Sequence, residues 1–194
     1  MNLVLKGPND APYQAGRDFS VLISFDDAVT AKRADGVLQV LEQNLKEEQG
    51  RLLHQWWNTE VLAFTTMREL AALEAAAADM IIIAIREGRE LPEMVATWMK
   101  RSLDLRKDRP GALVAMLDSD LKKPDASPGI LSQLKQAAAS GHMDFFATRA
   151  KAGSDQDAAP AAREIAAQVA TARKNRRQPR SPGAGNATAQ SCAP

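Results

Sequence analysis

Two adjacent carboxylates, Asp26 and Asp27, follow a short apolar run, and a second close pair, Asp118 and Asp120, brackets Ser119. Neighbouring carboxylates can recruit a hard cation, which takes oxygen ligands. They can also divide acid and base roles where their surroundings separate their pKa values. Arg86 and Glu87 come directly after the most apolar run in the chain, and Thr148, Arg149 and Lys151 close a later one. Asp26, Asp27, Arg86, Glu87, Asp118, Ser119 and Arg149 are therefore the candidate ligand or interaction residues. Polar, charged connections of this kind are also what ordinary surface loops contain. The two histidines, His54 and His142, are not spaced as a metal or acid–base pair. His54, beside Trp56 and Trp57, is expected to be packed and hydrogen-bonded. His142 follows a helix-ending glycine, where a cation complements the helix dipole.

The motifs that would name a reaction are missing. The chain has no Gly-x-Gly-x-x-Gly for a dinucleotide and no Gly-x-x-x-x-Gly-Lys-Ser/Thr for a nucleotide triphosphate. It has no Gly-x-Ser-x-Gly elbow to present a serine nucleophile. One cysteine, Cys192, rules out an internal disulfide framework and a cysteine-rich zinc site, and it fits a reducing compartment. No cofactor and no bound metal are expected. The start of the chain lacks the basic and long apolar stretches of a signal peptide. The run Met80–Ile85 is far short of the roughly 20 apolar residues a membrane span needs. A cytoplasmic protein is the expectation.

The elements that must position these residues follow from periodicity. Phe19–Phe25 reads as a strand without alternation, as in a parallel sheet covered on both faces. From Ala28 the period changes: Ala34, Val37, Leu38, Leu41 and Leu45 fall at helical spacing, and Gly50 closes that helix. Leu52–Trp57 is a second strand. Thr66-Met67-Arg68-Glu69 matches a capping box, opening an alanine- and leucine-rich helix. Asp79–Ile85, with four isoleucines, is the central strand. Leu91, Val95, Trp98, Met99 and Leu103 mark the next helix, with Pro92 in its first turn. Ala112–Leu117 is a fourth strand. Ser127-Pro128 caps a helix carrying Ile130, Leu131, Leu134 and Ala138, which Gly141 ends, and Met143–Thr148 is the fifth strand.

Strands separated by helices need crossover connections, which build parallel sheets with helices on both faces. The expected fold is α/β: a three-layer, flavodoxin-like, five-stranded parallel sheet of order 2-1-3-4-5, over residues 18–151. Residues 1–17, with Gly7-Pro8-Asn9-Asp10 and Pro12, read as a flexible leader in which Leu3–Leu5 could add as an edge strand. Residues 152–194 read as a low-complexity, basic, disordered tail with room for a short helix over 160–173. Residues 1–150 carry 18 Lys and Arg against 21 Asp and Glu, whereas 151–194 carry 7 against 3. An acidic folded part argues against a broad phosphate-binding face. Nucleic acid would be met only through Lys174, Arg176, Arg177 and Arg180, a run without interleaved aromatics.

In such sheets ligands bind beyond the carboxyl ends of the strands, where the candidate residues lie. There Asp26-Asp27 resembles the acidic magnesium-binding pair of response-regulator receiver domains. Ala78-Asp79-Met80-Ile81-Ile82-Ile83 resembles the run before their phosphate-accepting aspartate, and Ser140–Ala147 the segment leading to their essential lysine. The resemblance implies a degenerate receiver, because Ala84 stands where the acceptor would be and alanine forms no acyl phosphate. The switch hydroxyl would fall at Ser119 and the lysine near Arg149 or Lys151. It also implies a non-catalytic signalling or interaction module that meets a protein partner or itself; exposed aromatics around Trp98 or Phe145 would support such pairing, while Trp56, Trp57 and Trp98 themselves read as core or interface residues. The first loop, Ser24–Ala28, lacks the Ser/Thr/Gly-rich phosphate loop of flavodoxins, and its charge opposes an FMN phosphate. The alternative is a ligand-binding protein or enzyme that uses the acidic loops.

Overall fold

The computed structural model describes residues 18–47, 50–86, 90–107, 109–119 and 129–151, together with Arg163 and Ala167, which are helical. The leader, the Ser127-Pro128 cap, Glu87 and the basic run 174–180 lie outside the described residues. The elements alternate: β1 (Phe19–Phe25), α1 (Ala28–Glu47), β2 (Leu52–Asn58), a 3-10 turn (Thr59–Ala63), α2 (Thr65–Ala77), β3 (Met80–Arg86), α3 (Glu93–Arg106), β4 (Gly111–Ser119), α4 (Ile130–Ser140) and β5 (Met143–Lys151). All neighbouring strands are parallel, and the sheet order is β2-β1-β3-β4-β5, the flavodoxin-like arrangement.

The strand sequences explain the order. Met80–Ile85 is buried throughout, because β3 is third of five and covered on both sides, so each of its positions meets a hydrophobic layer. On one face, α1 sets Val37, Leu38 and Leu41 against Val21, Ile82 and Val114. On the other, α2, α3 and α4 pack over Leu22, Ile81, Ile83, Leu113 and Leu117. Trp98 lies in this second layer with no exposed surface, as a core residue.

The amino ends of the strands are fastened by a polar network. Arg106, buried at the end of α3, donates from Nη1 to the carbonyls of Ala78 (2.7 Å) and Ala75 (3.1 Å). Its Nε and Nη2 donate to the carbonyls of Arg109 (2.9 Å) and Pro110 (3.0 Å). Asp79 accepts from the Ser20 amide (3.0 Å), the Ser20 hydroxyl (2.9 Å) and Arg109 Nη2 (2.8 Å). The end of α2, the end of α3 and the starts of β1, β3 and β4 are thereby tied together.

Two local expectations, the capping box and the packing of His54, are corrected. The capping box does not form: α2 begins at Thr65 behind Phe64, with no side-chain cap, and Glu69 instead accepts from Arg101 Nε of α3 at 2.9 Å. A partner on the neighbouring helix has taken the carboxylate that would have reached back. Gly141 is the residue that ends α4, and His142 after it is left-handed, with φ 51°. His54 is hydrogen-bonded, accepting at Nδ1 from Trp56 Nε1 (3.0 Å), but it is exposed, because β2 is an edge strand.

Candidate functional site

The carboxyl ends of β1 and β3 bring Asp26, Asp27 and Arg86 together. Asp27 precedes the first residue of α1 and acts as its cap. Its Oδ1 accepts from the amides of Thr30 (2.9 Å) and Val29 (3.0 Å) and from the Thr30 hydroxyl (3.2 Å). A helix start leaves these amides without intrahelical partners, so an aspartate there satisfies them and meets the positive end of the dipole. Its Oδ2 accepts from Arg86 Nε at 2.9 Å and from Nη2. The bond from the Thr30 amide holds the Asp27 carboxyl below its ordinary pKa; partial burial opposes this, and the Arg86 guanidinium reinforces it.

Asp26 turns inward. Its Oδ1 accepts from the Thr59 hydroxyl (2.7 Å), and its Oδ2 from the Arg86 amide (3.1 Å). Its own amide donates to the Ala84 carbonyl (3.2 Å) and to Thr30 Oγ1 (3.2 Å). All four oxygens of the acidic pair are thus engaged by protein donors. A cation would have to compete with a guanidinium, two hydroxyls and three amides. Among the described residues no group of three or more His, Cys, Asp or Glu could hold a metal ion. The charge of this pair stitches β1 to β3, to α1 and to the turn after β2.

The other candidates are spread out. Asp118 and Ser119 close β4, with Asp118 in register with Arg86. Arg149 lies on β5, in register with Leu117, two strand spacings from β3 and so on the order of 10 Å away. Sequence reasoning missed Thr30, Thr59 and Asn58. Asn58 caps the 3-10 turn by accepting from the Glu60 amide at 2.8 Å, which presents Thr59 to Asp26. The signal was available at Asp27, since an aspartate just before a helical period is a cap residue.

A second candidate surface is α2. Its sheet-facing positions are alanines: Ala71, Ala72 and Ala75 are fully buried. Its large apolar side chains point the other way. Met67, Leu70 and Leu73 are 43%, 47% and 56% exposed, and Phe64, just before the helix, is 68% exposed. Amphipathic helices normally turn their large apolar residues to the core. Here the arrangement is inverted.

Neither a protein-family model nor a curated protein matches this sequence. Solved structures do match in fold. The flavodoxin of Streptococcus pneumoniae TIGR4 superposes with a TM-score of 0.55 at 12% identity, covering 79% of this chain and 99% of its own. An oxidoreductase from Corynebacterium diphtheriae superposes with a TM-score of 0.53 at 14% identity, covering 81% of this chain and 99% of its own. At such identities the likeness is one of fold: a flavodoxin-like sheet.

That fold raises the question of a flavin. A flavin phosphate after β1 would need the free amides at the start of α1. Here the Asp27 carboxylate takes those of Val29 and Thr30, and Asp26 adds a second negative charge. The residues present do not fit a phosphate at this loop. Among the described residues, no helix is long and apolar enough to cross a membrane.

Proposed function

We propose that this chain is a non-catalytic, flavodoxin-like interaction module of a signalling type, whose partner docks an amphipathic helix on α2. The carrying observation is the inverted helix. Buried alanines and a hydrogen bond from Trp57 Nε1 to Glu74 Oε2 (2.8 Å) secure α2 to the sheet, so Phe64, Met67, Leu70 and Leu73 do little for folding, and burying them awaits a partner. Contiguous exposed apolar patches of this kind mark interaction sites, and helix on helix is a common way to cover one.

The carboxyl ends of the strands support the same reading. Ala84, at the end of β3, offers no acceptor for a phosphoryl group. The acidic pair beside it is consumed by structure. A receiver ancestor that lost phosphotransfer would look like this, with its acidic pair kept for scaffolding.

The test is photocrosslinking in the native host, with benzoyl-phenylalanine placed at Phe64. One dominant crosslinked partner, lost when Leu70→Glu is added, is the expected result. Absence of any crosslinked product would overturn the proposal. A second reading, ligand or redox chemistry at the strand ends, has in its favour the fold shared with a flavodoxin and an oxidoreductase. It would show as a saturable rise in melting temperature with one ligand class, abolished by Arg86→Ala.

A further inference from the structure

The two edges of the sheet differ in chemistry. β5 carries Asp144, Arg149 and Lys151 along its length. β2 is Leu-Leu-His-Gln-Trp-Trp-Asn: no acidic residue, no Lys or Arg, no proline and no glycine. It runs in unbroken seven-residue register with β1, so no bulge twists it away. Exposed edges are usually blunted by charge, proline, bulges or a covering element, because an open row of backbone groups recruits another strand. Among the described residues, none of these protects β2, and Leu53, His54 and Gln55 on it are exposed.

We propose that β2 pairs antiparallel with β2 of a second copy of this chain, joining the two sheets into one of ten strands. The side chains select the occupant, because the strand is complementary to itself. The register that pairs all seven residues puts the two-fold axis at Gln55. On the α2 side it sets Leu53, which is 48% exposed, against half-buried Trp57 of the second copy, twice. On the α1 side it sets His54 against Trp56, twice, extending the edge-to-face contact these two residues already make within one chain, at 6.2 Å between ring centroids. Gln55 meets Gln55, an amide that both donates and accepts. No like charges oppose each other at any position. Cross-strand pairs of aromatic and aliphatic residues are the stabilising unit of such a seam.

The axis stands normal to the sheet, so each face of one copy continues into the same face of the other. Both α2 helices then lie on one side of the joined sheet, flanking the seam. The dimer rests on the β2 edge and not on the reading of α2 as a docking face, and it would present two such faces side by side.

Sedimentation velocity of the full chain over a concentration series tests the proposal. A reversible species of twice the chain mass is expected. Gln55→Lys, which places two ammonium groups across the axis, should weaken it by about tenfold or more while leaving the melting temperature of the monomer unchanged. Gln55→Cys in a Cys192→Ser chain should be joined by a short bismaleimide, because opposed Cβ atoms lie about 4.5–5.5 Å apart. A monomer at all concentrations overturns the proposal. So does a dimer indifferent to Gln55→Lys that yields no crosslink at position 55. Dimerisation appearing only after deletion of residues 1–17 would overturn it too, since the chain's own leader would then hold the edge. These outcomes leave photocrosslinking at Phe64 independent: a lost dimer with a retained partner separates the two ideas.

Discussion

Arg106 fills the space that a side chain at position 111 would need: a Cβ on Gly111 would lie 1.8 Å from Arg106 Nη2 and 3.0 Å from the Asp79 carbonyl oxygen. The guanidinium is not free to leave, since it holds carbonyls of Ala75, Ala78, Arg109 and Pro110. Gly111→Ala should therefore destabilise the domain by about 1–3 kcal/mol, as overpacking of a filled site does. Arg106→Ala should cost at least about 3 kcal/mol, by leaving buried carbonyls without donors. The double variant should be less destabilised than the sum, because the alanine at 111 then has room. Urea melts of the four proteins give the coupling. Additive costs would show that Gly111 is present for another reason.

The pH dependence of stability should carry the signature of Asp27. Its carboxyl titrates below the ordinary value of 3.8, first through the Thr30 amide and with help from Arg86. Between the folded and unfolded values the unfolded chain binds the extra proton, so stability rises with pH there. The contribution is complete above about pH 5 and is lost as pH falls through the lower, folded value. Asp27→Ala should cost about 0.5–2 kcal/mol at neutral pH, the usual range for a lost helix cap. That difference should shrink below about pH 5. Asp27→Asn, which keeps an acceptor for the two amides, should cost less. Denaturant melts from pH 2 to 7 read all three. A difference that stays constant through acid would remove the ionised carboxylate from the account.

Flavin binding gives a sharper test of the loop after β1. FMN fluorescence should be unchanged by the wild-type chain, because Asp27 already holds the amides a phosphate would use. Magnesium with acetyl phosphate should likewise leave the melting temperature unmoved. Stoichiometric quenching of FMN would mean that the cap opens, and Asp27 would then be a gate and not a fixture.

The sheet was legible because burial on both faces leaves a plain mark: Met80–Ile85 has no polar residue, and that run placed β3 at the centre. The helices were legible from their period, but their partners were not. Glu69 is in capping position by sequence, yet Arg101 lies 32 residues away, and nothing local announces that contact. Asp26 and Asp27 were found as a pair, but a carboxylate that caps a helix and one that binds a cation can occupy the same position. Only the donors around them decide, and Thr59 comes from the turn after β2 and Arg86 from β3. The inversion of α2 was hidden for a related reason. In Leu70-Ala71-Ala72-Leu73-Glu74-Ala75 the alanines and the leucines both recur at helical spacing. Which set turns inward depends on how close the helix must come to the sheet.

That ambiguity leads to the most direct prediction for α2. If its leucines were part of the core, charging them would unfold the domain. With Leu70 and Leu73 about half exposed, Leu70→Glu with Leu73→Lys should change stability by no more than about 0.5 kcal/mol per site, the range of ordinary surface substitutions. The reverse change is the informative control. Ala72→Leu or Ala75→Leu adds three carbon atoms to fully buried positions between helix and sheet, and should cost about 1–3 kcal/mol. Thermal melts of these variants give a pattern opposite to that of an ordinary amphipathic helix, where leucines are costly to charge and alanines tolerate enlargement. If the leucine pair proves destabilising and the alanines tolerant, α2 is rotated from the orientation described, and its outer face is not the docking surface.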